Sequence, residues 1–213
     1  MNAVAPASID IGAPADFVLM NAVTAAAPRR LPWLPNSDGD GAGKVRAMKA
    51  FSLIGECAEK SELVRRLVVE LTGRGLQVST IKRVSDAVDL ERRGSGTWKH
   101  RTAGAVEVMV ASASRFALMR EMPEDTDEPD VSSLLARMAP VDIVLLDGFR
   151  RSGYPKMEVV QSGQDRALYA LNDTKVLAVT SEEPVTAPVP GLPLSDISVL
   201  GDFVMTHAVA AYT

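Results

Sequence analysis

The chain has 213 residues, 46% of them apolar and 23% charged, and a formal net charge of -4. This composition is typical of a globular protein with enough apolar residues for a core, and the negative charge gives no electrostatic reason to expect nucleic acid as a partner. The sequence contains no run of about 18 apolar residues that would span a membrane. Its single cysteine, Cys57, cannot form an internal disulfide. We therefore expect a cytoplasmic protein that binds neither membranes nor nucleic acid.

The sequence divides into two regions of different composition. Residues 1–45 are rich in proline, alanine and glycine and show no sustained helical or strand period, which predicts a flexible leader. Residues 46–213 alternate between apolar runs and polar segments. We expect this second region to form one folded domain.

The folded region begins with a strand, a helix and a second strand. Ala47–Ile54 has the apolar pattern of a strand, Ser61–Gly75 carries leucines at helical spacing, and Leu76–Lys82 is a predicted strand. A unit of this length requires two parallel strands with a right-handed crossover, so the predicted fold class is α/β. Downstream, the pattern predicts strands at Val106–Ala111, Arg115–Arg120, Asp142–Leu146, Pro155–Gln161 and Val176–Ser181, helices at Thr97–Ala105, Val131–Ala139 and Ile197–Ala211, and a proline-rich loop at Glu182–Pro193.

The segment Phe51–Leu63 has the layout of a phosphate-binding loop, with a strand, a turn and a Lys-Ser pair that leads into a helix. In the motif G-x-x-x-x-G-K-[ST], backbone N–H groups surround the phosphates, the lysine reaches the outer phosphates and the hydroxyl holds Mg²⁺. Lys60 and Ser61 match the last two positions, but Ile54 and Glu59 stand where the signature glycines belong. A carboxylate ~5 Å from a phosphate costs about 3 kcal/mol per unit charge at an effective dielectric of ~20. The alternative is an ordinary strand, turn and helix start, and this segment taken alone favours that alternative.

Asp147 follows a strand that is apolar throughout. The run Asp142–Leu146 is of the kind that is buried on both faces in a parallel sheet. Acidic residues at the C-terminal end of such a strand lie where α/β sheets bind ligands. Because an ionised group in that place needs a partner, Asp147 is the strongest functional candidate by position.

Further motifs follow one another in order along the chain. They are Ile81-Lys82 at a strand end, Trp98-Lys-His-Arg-Thr-Ala-Gly-Ala105, Asp147-Gly-Phe-Arg150 and Pro155-Lys-Met-Glu-Val159. In these motifs, from about Ala47 to about Thr206, the sequence resembles the MobB family of molybdopterin-guanine dinucleotide biosynthesis adapter proteins. The resemblance implies a phosphate-loop NTPase-like fold, with a mostly parallel sheet flanked by helices.

The resemblance also implies a function. It implies an adapter in the biosynthesis or delivery of the molybdenum or tungsten cofactor molybdopterin guanine dinucleotide, with GTP and Mg²⁺ as ligands and at most weak GTPase activity. The implied partners are a molybdopterin guanylyltransferase or a molybdenum or tungsten enzyme, and the implied assembly is a homodimer. By the same resemblance, the nucleotide-binding residues are Gly55, Glu56, Lys60, Ser61 and Glu62, the metal ligands are Ser61 and Asp147, and further ligand or phosphate contacts are Lys82, Trp98, His100, Arg101 and Arg150.

Several of these assignments have structural alternatives. The glycines of the phosphate loop are absent at positions 54, 57 and 59, which favours a second hypothesis: a non-catalytic adapter or complex subunit that keeps the fold without binding nucleotide. His100 is either a phosphate or pterin contact or a helix-start residue that bonds to backbone. Trp98 suits a core or an interface, Arg101 is either a phosphate contact or a solvated side chain, and the structural alternative for Lys156 and Glu158 is a pair across their strand.

Overall fold

The computed structural model of the chain describes residues 48–84, 90–121, 130–161, 163 and 167–211. These residues fall into two compact units, of which residues 90–121 form the smaller and the remaining ranges form the larger. The predicted leader, residues 1–45, lies outside the described residues, so this boundary stays a prediction. None of the helices in the described ranges has the length and apolar character needed to cross a bilayer.

The described secondary structure consists of strands and helices. The strands are β1 (Lys49–Ile54), β2 (Val78–Lys82), β3 (Glu107–Ala111), β4 (Phe116–Arg120), β5 (Ile143–Asp147), β6 (Lys156–Val159), β7 (Val176–Ser181), β8 (Gly191–Pro193) and β9 (Val209–Ala210). The helices are α1 (Ala58–Gly73), α2 (Gly96–Thr102), α3 (Val131–Leu135) and α4 (Ile197–His207), with one turn of 3₁₀ helix at Tyr169–Leu171.

A mostly parallel sheet forms the centre of the larger unit. Its strand order is β2-β5-β1-β6-β7-β8, and β9 pairs with β1. All neighbours along this order are parallel, whereas β9 runs antiparallel to β1. The register places Leu53 of β1 and Lys82 of β2 opposite Asp147 of β5. The C-terminal ends of three adjacent strands therefore meet at one edge of the sheet, where α/β folds bind ligands.

Helices cover both faces of this sheet because its strands are apolar on both. Phe51, Leu53 and Leu145 pack in one buried cluster with α1 and α4, whereas Ala50 and Leu146 pack in another with α3. Successive side chains of a strand point to opposite faces, so strands buried on both sides need two helical layers. The predicted α/β class, with a mostly parallel sheet flanked by helices, is confirmed.

Helix α1 packs its apolar stripe on the sheet. Its buried residues recur at helical spacing, which places them on one face of the helix. Burial of one such leucine contributes about 1.5–3 kcal/mol, so the stripe holds the start of the helix in a fixed position against β1. The buried residues are Leu63, Val64, Leu67 and Leu71.

Some boundaries differ from the predicted ones. Helix α1 begins at Ala58, before the predicted start at Ser61, and α3 ends at Leu135. The predicted loop Glu182–Pro193 contains β8, which pairs with β7, and the predicted final helix stops at His207, after which β9 pairs with β1. Each short strand forms through pairing with a residue distant in sequence, so local sequence pattern does not reveal it.

The smaller unit joins a short helix to a hairpin. Ser95 caps α2, because its side chain accepts a hydrogen bond from the backbone N–H of Trp98. The predicted strands β3 and β4 pair antiparallel, and Arg120 forms an ion pair with Glu107 at 3.2 Å. Four large apolar side chains of this hairpin are exposed: Met109, Val110, Phe116 and Leu118.

A buried ion pair lies at the start of β6. Lys156 is only 2% exposed, and its Nζ donates to Asp173 Oδ2 at 2.9 Å. Burial on its own raises the pKa of Asp173, but the hydrogen bonds from Lys156 and from the Lys175 backbone together outweigh it and lower that pKa below its ordinary value. Lys156 thus pairs with a carboxylate outside β6, and not with Glu158.

Replacing Asp173 should destabilise the protein in a pH-dependent way. Asp173→Asn leaves the buried ammonium of Lys156 without a counter-charge, and we expect the free energy of unfolding to fall by about 2 kcal/mol at pH 7, less than for a fully buried pair because Asp173 is partly exposed. Since the folded-state pKa of Asp173 is depressed, its stabilisation is complete above the unfolded-state pKa of about 3.9 and is lost as pH falls through the folded-state value. Urea unfolding at neutral and acid pH measures this.

The matched control for this measurement is Asp202→Asn. Asp202 also pairs with a cation, Arg74, but its side chain is 70% exposed, so we expect a change within about 0.5 kcal/mol. A difference between wild type and Asp173→Asn that persists unchanged at acid pH would contradict the ion-pair explanation.

Candidate phosphate-binding site

An ion pair joins the start of α1 to the end of β5. Lys60 Nζ lies 2.7 Å from Asp147 Oδ1, and the two side chains are 14% and 3% exposed. A carboxylate this deeply buried is costly unless a charge accompanies it. Asp147 Oδ1 nevertheless makes no aligned hydrogen bond to any described group, so the lysine supplies charge compensation without completing the hydrogen bonding of the carboxylate.

Gly148 makes room for this lysine. The residue has a φ of +90°, and a Cβ built on it would lie 3.2 Å from Lys60 Nζ. Its N–H donates to the carbonyl of Leu53 at 2.9 Å, which continues the link between β5 and β1 past the last paired residues. A larger residue here would strain the backbone and push the ammonium away from Asp147.

The loop between β1 and α1 has only three residues, Gly55–Cys57. Ile54, which stands where the first signature glycine belongs, lies in β1 and is 1% exposed in a cluster with Val160 and Val179. Gly55 has a φ of +139°, and a Cβ there would lie 2.4 Å from the carbonyl oxygen of Val159. The loop is therefore short because the residue before it belongs to the core and the residue that opens it is pressed against β6.

The first turn of α1 carries both Lys60 and Glu59. The first four N–H groups of a helix lack partners within the helix and favour anions, and Glu59 already places a carboxylate in this turn. One of its oxygens, Oε2, is buried and accepts no hydrogen bond from a described group. The site thus offers an anion-binding helix start together with a resident negative charge.

Cys57 occupies the position before α1 without acting as a cap. Its side chain makes no capping hydrogen bond, and its Sγ donates weakly to the carbonyl of Val159 at 3.8 Å. Burial raises the pKa of the thiol above its ordinary value, and Glu59 adds to this effect. The residue is therefore a neutral, half-buried packing group at neutral pH, as small loop residues commonly are.

Lys82 brings a second ammonium group to the same edge. It ends β2, opposite Asp147 in the register, and its Nζ donates to Ser61 Oγ at 3.4 Å. Ser61 and Asp147, the predicted metal ligands, thus each face a lysine. The structure brings together four of the predicted site residues, Lys60, Ser61, Asp147 and Lys82.

These groups do not fit a preformed Mg²⁺ site. Hydroxyl and carboxylate oxygens are ligands that Mg²⁺ takes, but a metal ion would have to displace Lys82 from Ser61 and Lys60 from Asp147. Within the described ranges, no group of three or more His, Cys, Asp and Glu side chains is placed to hold an ion.

The family of the chain follows from comparison with known proteins. The family model of molybdopterin guanine dinucleotide synthesis protein B, MobB, matches residues 51–182. The chain belongs to the MobB family. It is similar to two proteins named molybdopterin-guanine dinucleotide biosynthesis adapter protein. That of Escherichia coli is 33% identical over 149 residues, which cover 68% of this chain and 85% of the relative. That of Haemophilus influenzae is 28% identical over 145 residues, which cover 68% and 80%.

Solved MobB structures share the fold. A crystal structure of molybdopterin-guanine biosynthesis protein B has a TM-score of 0.58 and 23% identity, and the match covers 74% of this chain and 98% of that one. A Bacillus subtilis MobB structure has a TM-score of 0.59 and 19% identity, covering 76% and 98%. At these identities the likeness supports the fold alone.

Two more predicted contacts of this MobB chain lie beside the loop, in a cluster built on Tyr169. Arg150 stacks on the Tyr169 ring, 5.0 Å from its centroid, and donates to the tyrosine hydroxyl at 3.1 Å. The same hydroxyl is hydrogen-bonded to Glu56. Glu158, which is fully buried, accepts hydrogen bonds from the backbone N–H groups of Tyr169 and Ala170 at 3.1 and 3.0 Å. Arg150 and Glu56 are thus held together through a tyrosine.

This cluster contains the site residues that sequence reasoning missed. The apolar context of Glu158 in Pro155-Lys-Met-Glu was a usable signal, because a carboxylate in a buried strand must find donors. Nothing in the local sequence marks Tyr169, which reaches Glu56 across 113 positions of the chain.

Glu62 lies apart from these groups on the exposed side of α1. It forms an ion pair with Arg65 at 2.6 Å, and hydrogen bonds from that guanidinium lower the pKa of Glu62. Both side chains are 55% exposed. In the structure, the predicted nucleotide contact Glu62 is therefore paired with a neighbouring residue of its own helix.

The remaining predicted contacts belong to the smaller unit. Arg101 forms ion pairs with Glu91 and with Glu121, the latter at 2.7 Å, and the hydrogen bonds that its guanidinium donates to these carboxylates raise its pKa. Trp98 is half-buried and His100 is exposed. A phosphate would have to compete with two carboxylates for Arg101, so this arginine is a structural tie in its own unit.

Gly55 should tolerate no side chain. Gly55→Ala places a Cβ 2.4 Å from the Val159 carbonyl oxygen at a φ of +139°, and we expect the free energy of unfolding to fall by about 2–4 kcal/mol. Urea denaturation followed by circular dichroism measures the change.

Gly153→Ala is the matched control, because a Cβ there meets no atom within 4 Å. Its effect should stay within about 0.5 kcal/mol. Equal stability of the two variants would show that the loop can move away from β6.

Proposed function

We propose that this chain acts as an adapter in the biosynthesis or delivery of molybdopterin guanine dinucleotide, and that it binds GTP through the phosphate groups. The observation that carries the proposal is the Lys60–Asp147 ion pair at 2.7 Å, placed beside Ser61 at the C-terminal strand ends of a MobB fold. Two relatives that bear the adapter name support the cellular role.

The charges at the strand ends suit a phosphate group. Lys60 keeps 14% of its side chain exposed, so its ammonium can meet a ligand from the solvent side while it still compensates Asp147. Lys82 is exposed at the neighbouring strand end, and the N-terminus of α1 adds unpaired N–H groups. Together these groups supply positive charge and donors to an oxyanion.

The same geometry limits chemistry on the nucleotide. Gly55 is the only glycine in the sequence from 54 to 61, whereas the phosphate-loop motif uses glycines to bring backbone N–H groups close to the phosphates, and Glu59 opposes negative charge. Since Lys60 also remains committed to Asp147, little of its charge can follow a transferring phosphoryl group. We therefore expect binding with at most weak GTP hydrolysis.

The proposed setting is cytoplasmic, with a guanylyltransferase or a molybdenum or tungsten enzyme as partner. Reconstitution of such an enzyme from its apo form, molybdopterin, molybdate, GTP and guanylyltransferase should give more active enzyme when the chain is present. We also propose a homodimer, which would cover Met109, Phe116 and Leu118 of the exposed hairpin. A monomer in light scattering at micromolar concentration would count against the dimer.

Removing Lys60 should weaken GTP binding. In calorimetric titration we expect a dissociation constant in the micromolar range for wild type, and a loss of about tenfold or more for Lys60→Ala, because one positive charge near the phosphates is gone. Arg65→Ala is the matched control, since it removes a cation from the exposed face of the same helix.

Lys60→Ala also leaves Asp147 without its counter-charge, so its folding must be checked by urea denaturation. Ser61→Ala is a second variant with which GTP titration tests the site. Ser61 is exposed, and its replacement removes one hydroxyl without leaving a buried charge unpaired. A protein that takes up no GTP at millimolar concentration would refute the nucleotide part of the proposal.

The second candidate function is an adapter that binds no nucleotide. The observation that favours it is the carboxylate of Glu59 in the first turn of α1, together with the short loop. If this charge is the obstacle, Glu59→Gly and Glu59→Gln should each raise GTP affinity by about tenfold. Ile54 should be left unchanged, because it is 1% exposed and truncation would cost about 3–5 kcal/mol of stability. Unchanged affinity in both variants would assign the loop a purely structural role.

A further inference from the structure

We propose that the ammonium groups of Lys60 and Lys82 take the place of the divalent cation at the strand ends, so that this chain binds phosphate groups without Mg²⁺. The inference rests on the proposed nucleotide binding and specifies its chemistry. Its ligand class is a phosphate or polyphosphate group, free or carried by a nucleotide, that meets two lysines in place of a metal ion.

The first support is the contact between Lys82 and Ser61. Lys82 Nζ donates to Ser61 Oγ at 3.4 Å, and so it engages a lone pair of the hydroxyl that would ligate a metal. A Mg²⁺ ion at its usual ~2.1 Å from that oxygen would lie at most about 5.5 Å from the ammonium nitrogen. Like charges at that separation repel, so the ammonium of Lys82 disfavours a metal ion at Ser61.

The sheet fixes the backbone position of Lys82. The residue pairs with Asp147 in the parallel register of β2 and β5, and the next N–H, that of Arg83, donates to the Asp147 carbonyl at 2.8 Å. The backbone of Lys82 is therefore held at the strand end by hydrogen bonds to β5. Only rotation of the side chain can move the ammonium away from this edge.

The second support is the compensation of the Asp147 carboxylate by Lys60. Its side chain is 3% exposed, and the ammonium of Lys60 lies 2.7 Å from Oδ1. Gly148 leaves the space that this ammonium needs, because a Cβ there would come within 3.2 Å of it. A carboxylate that is buried and already compensated offers little attraction to a cation from solvent, which must also shed tightly held water.

The remaining charge in the first turn of α1 bears on affinity. Glu59 is a carboxylate in this turn, and it weakens binding of any phosphate group whether or not a metal is present. We therefore expect modest affinity in both conditions. If a metal ion shielded Glu59 from the phosphates, the affinity would instead depend strongly on Mg²⁺. Titration with and without Mg²⁺ separates these two cases.

The test is calorimetric titration of the full chain with GTP, once with Mg²⁺ and once with excess EDTA. We expect the two dissociation constants to agree within about threefold. Pyrophosphate serves as a second probe in both conditions: if it also binds, the site reads phosphate groups alone, whereas binding of GTP only would contradict the ligand class stated above.

Variants of Lys82 test the substitution of metal by ammonium directly. Because Lys82 is exposed, Lys82→Met should fold, and we expect it to weaken GTP binding in EDTA by about tenfold and to make added Mg²⁺ recover part of the loss. Lys82→Arg should keep the metal-independent binding. Lys49→Met is the matched control, since Lys49 begins β1 at the opposite end of that strand.

The outcomes distinguish this inference from the function on which it rests. If wild type binds GTP and Mg²⁺ improves the affinity tenfold or more, or if Lys82→Met binds GTP in EDTA as wild type does, the inference is wrong while nucleotide binding stands. If GTP binds in neither condition, the proposed nucleotide binding itself fails, and this inference fails with it.

Discussion

The ion pair between Lys60 and Asp147 is the interaction on which the site depends. Strand β5 is buried on both faces and ends in a carboxylate that is 3% exposed. A carboxylate this deeply buried needs a cation beside it, and the first turn of α1 provides that cation. That delivery depends in turn on the apolar stripe of α1, which fixes the helix on the sheet, and on Gly148, which leaves space for the ammonium. Sheet register, helix packing and the absence of a side chain at Gly148 together allow Lys60 Nζ to lie 2.7 Å from Asp147 Oδ1.

A second constraint sets the length of the loop that precedes Lys60. Ile54 is part of a buried cluster, and Gly55 lies against the carbonyl of Val159, so both residues are fixed by β6 and its neighbours. Only a few residues remain before α1 begins at Ala58. The two positions where the motif has its glycines lie in regular structure here: the first is inside the sheet at Ile54, and the second is inside the helix at Glu59.

Much of the fold was predictable, because the elements of the central sheet carry their own signals. The period of α1 and the apolar runs of β1 and β5 are local features, and each appears in the structure. The motif order gave the family. What sequence could not give depends on contacts distant along the chain: the strands β8 and β9 form only by pairing, and Tyr169 joins the site only through Glu56 and Arg150. The early start of α1 likewise follows from packing, since Cys57 lacks a capping side chain and so gave no signal.

The phosphate-loop motif combines two separable sources of affinity, and this chain retains them unequally. One source is a cradle of backbone N–H groups, which requires a long glycine-rich loop; the other is the charge of the lysine and its neighbours. Here Ile54 and Glu59 replace the two signature glycines of the cradle, whereas Lys60 is kept and Lys82 lies at the neighbouring strand end. Binding that relies on side-chain charge is more sensitive to salt and less selective for the shape of a triphosphate than binding by a cradle. A site of this kind suits a protein that holds a phosphate-bearing ligand for another enzyme, since holding requires charge but no alignment of a phosphoryl group for transfer.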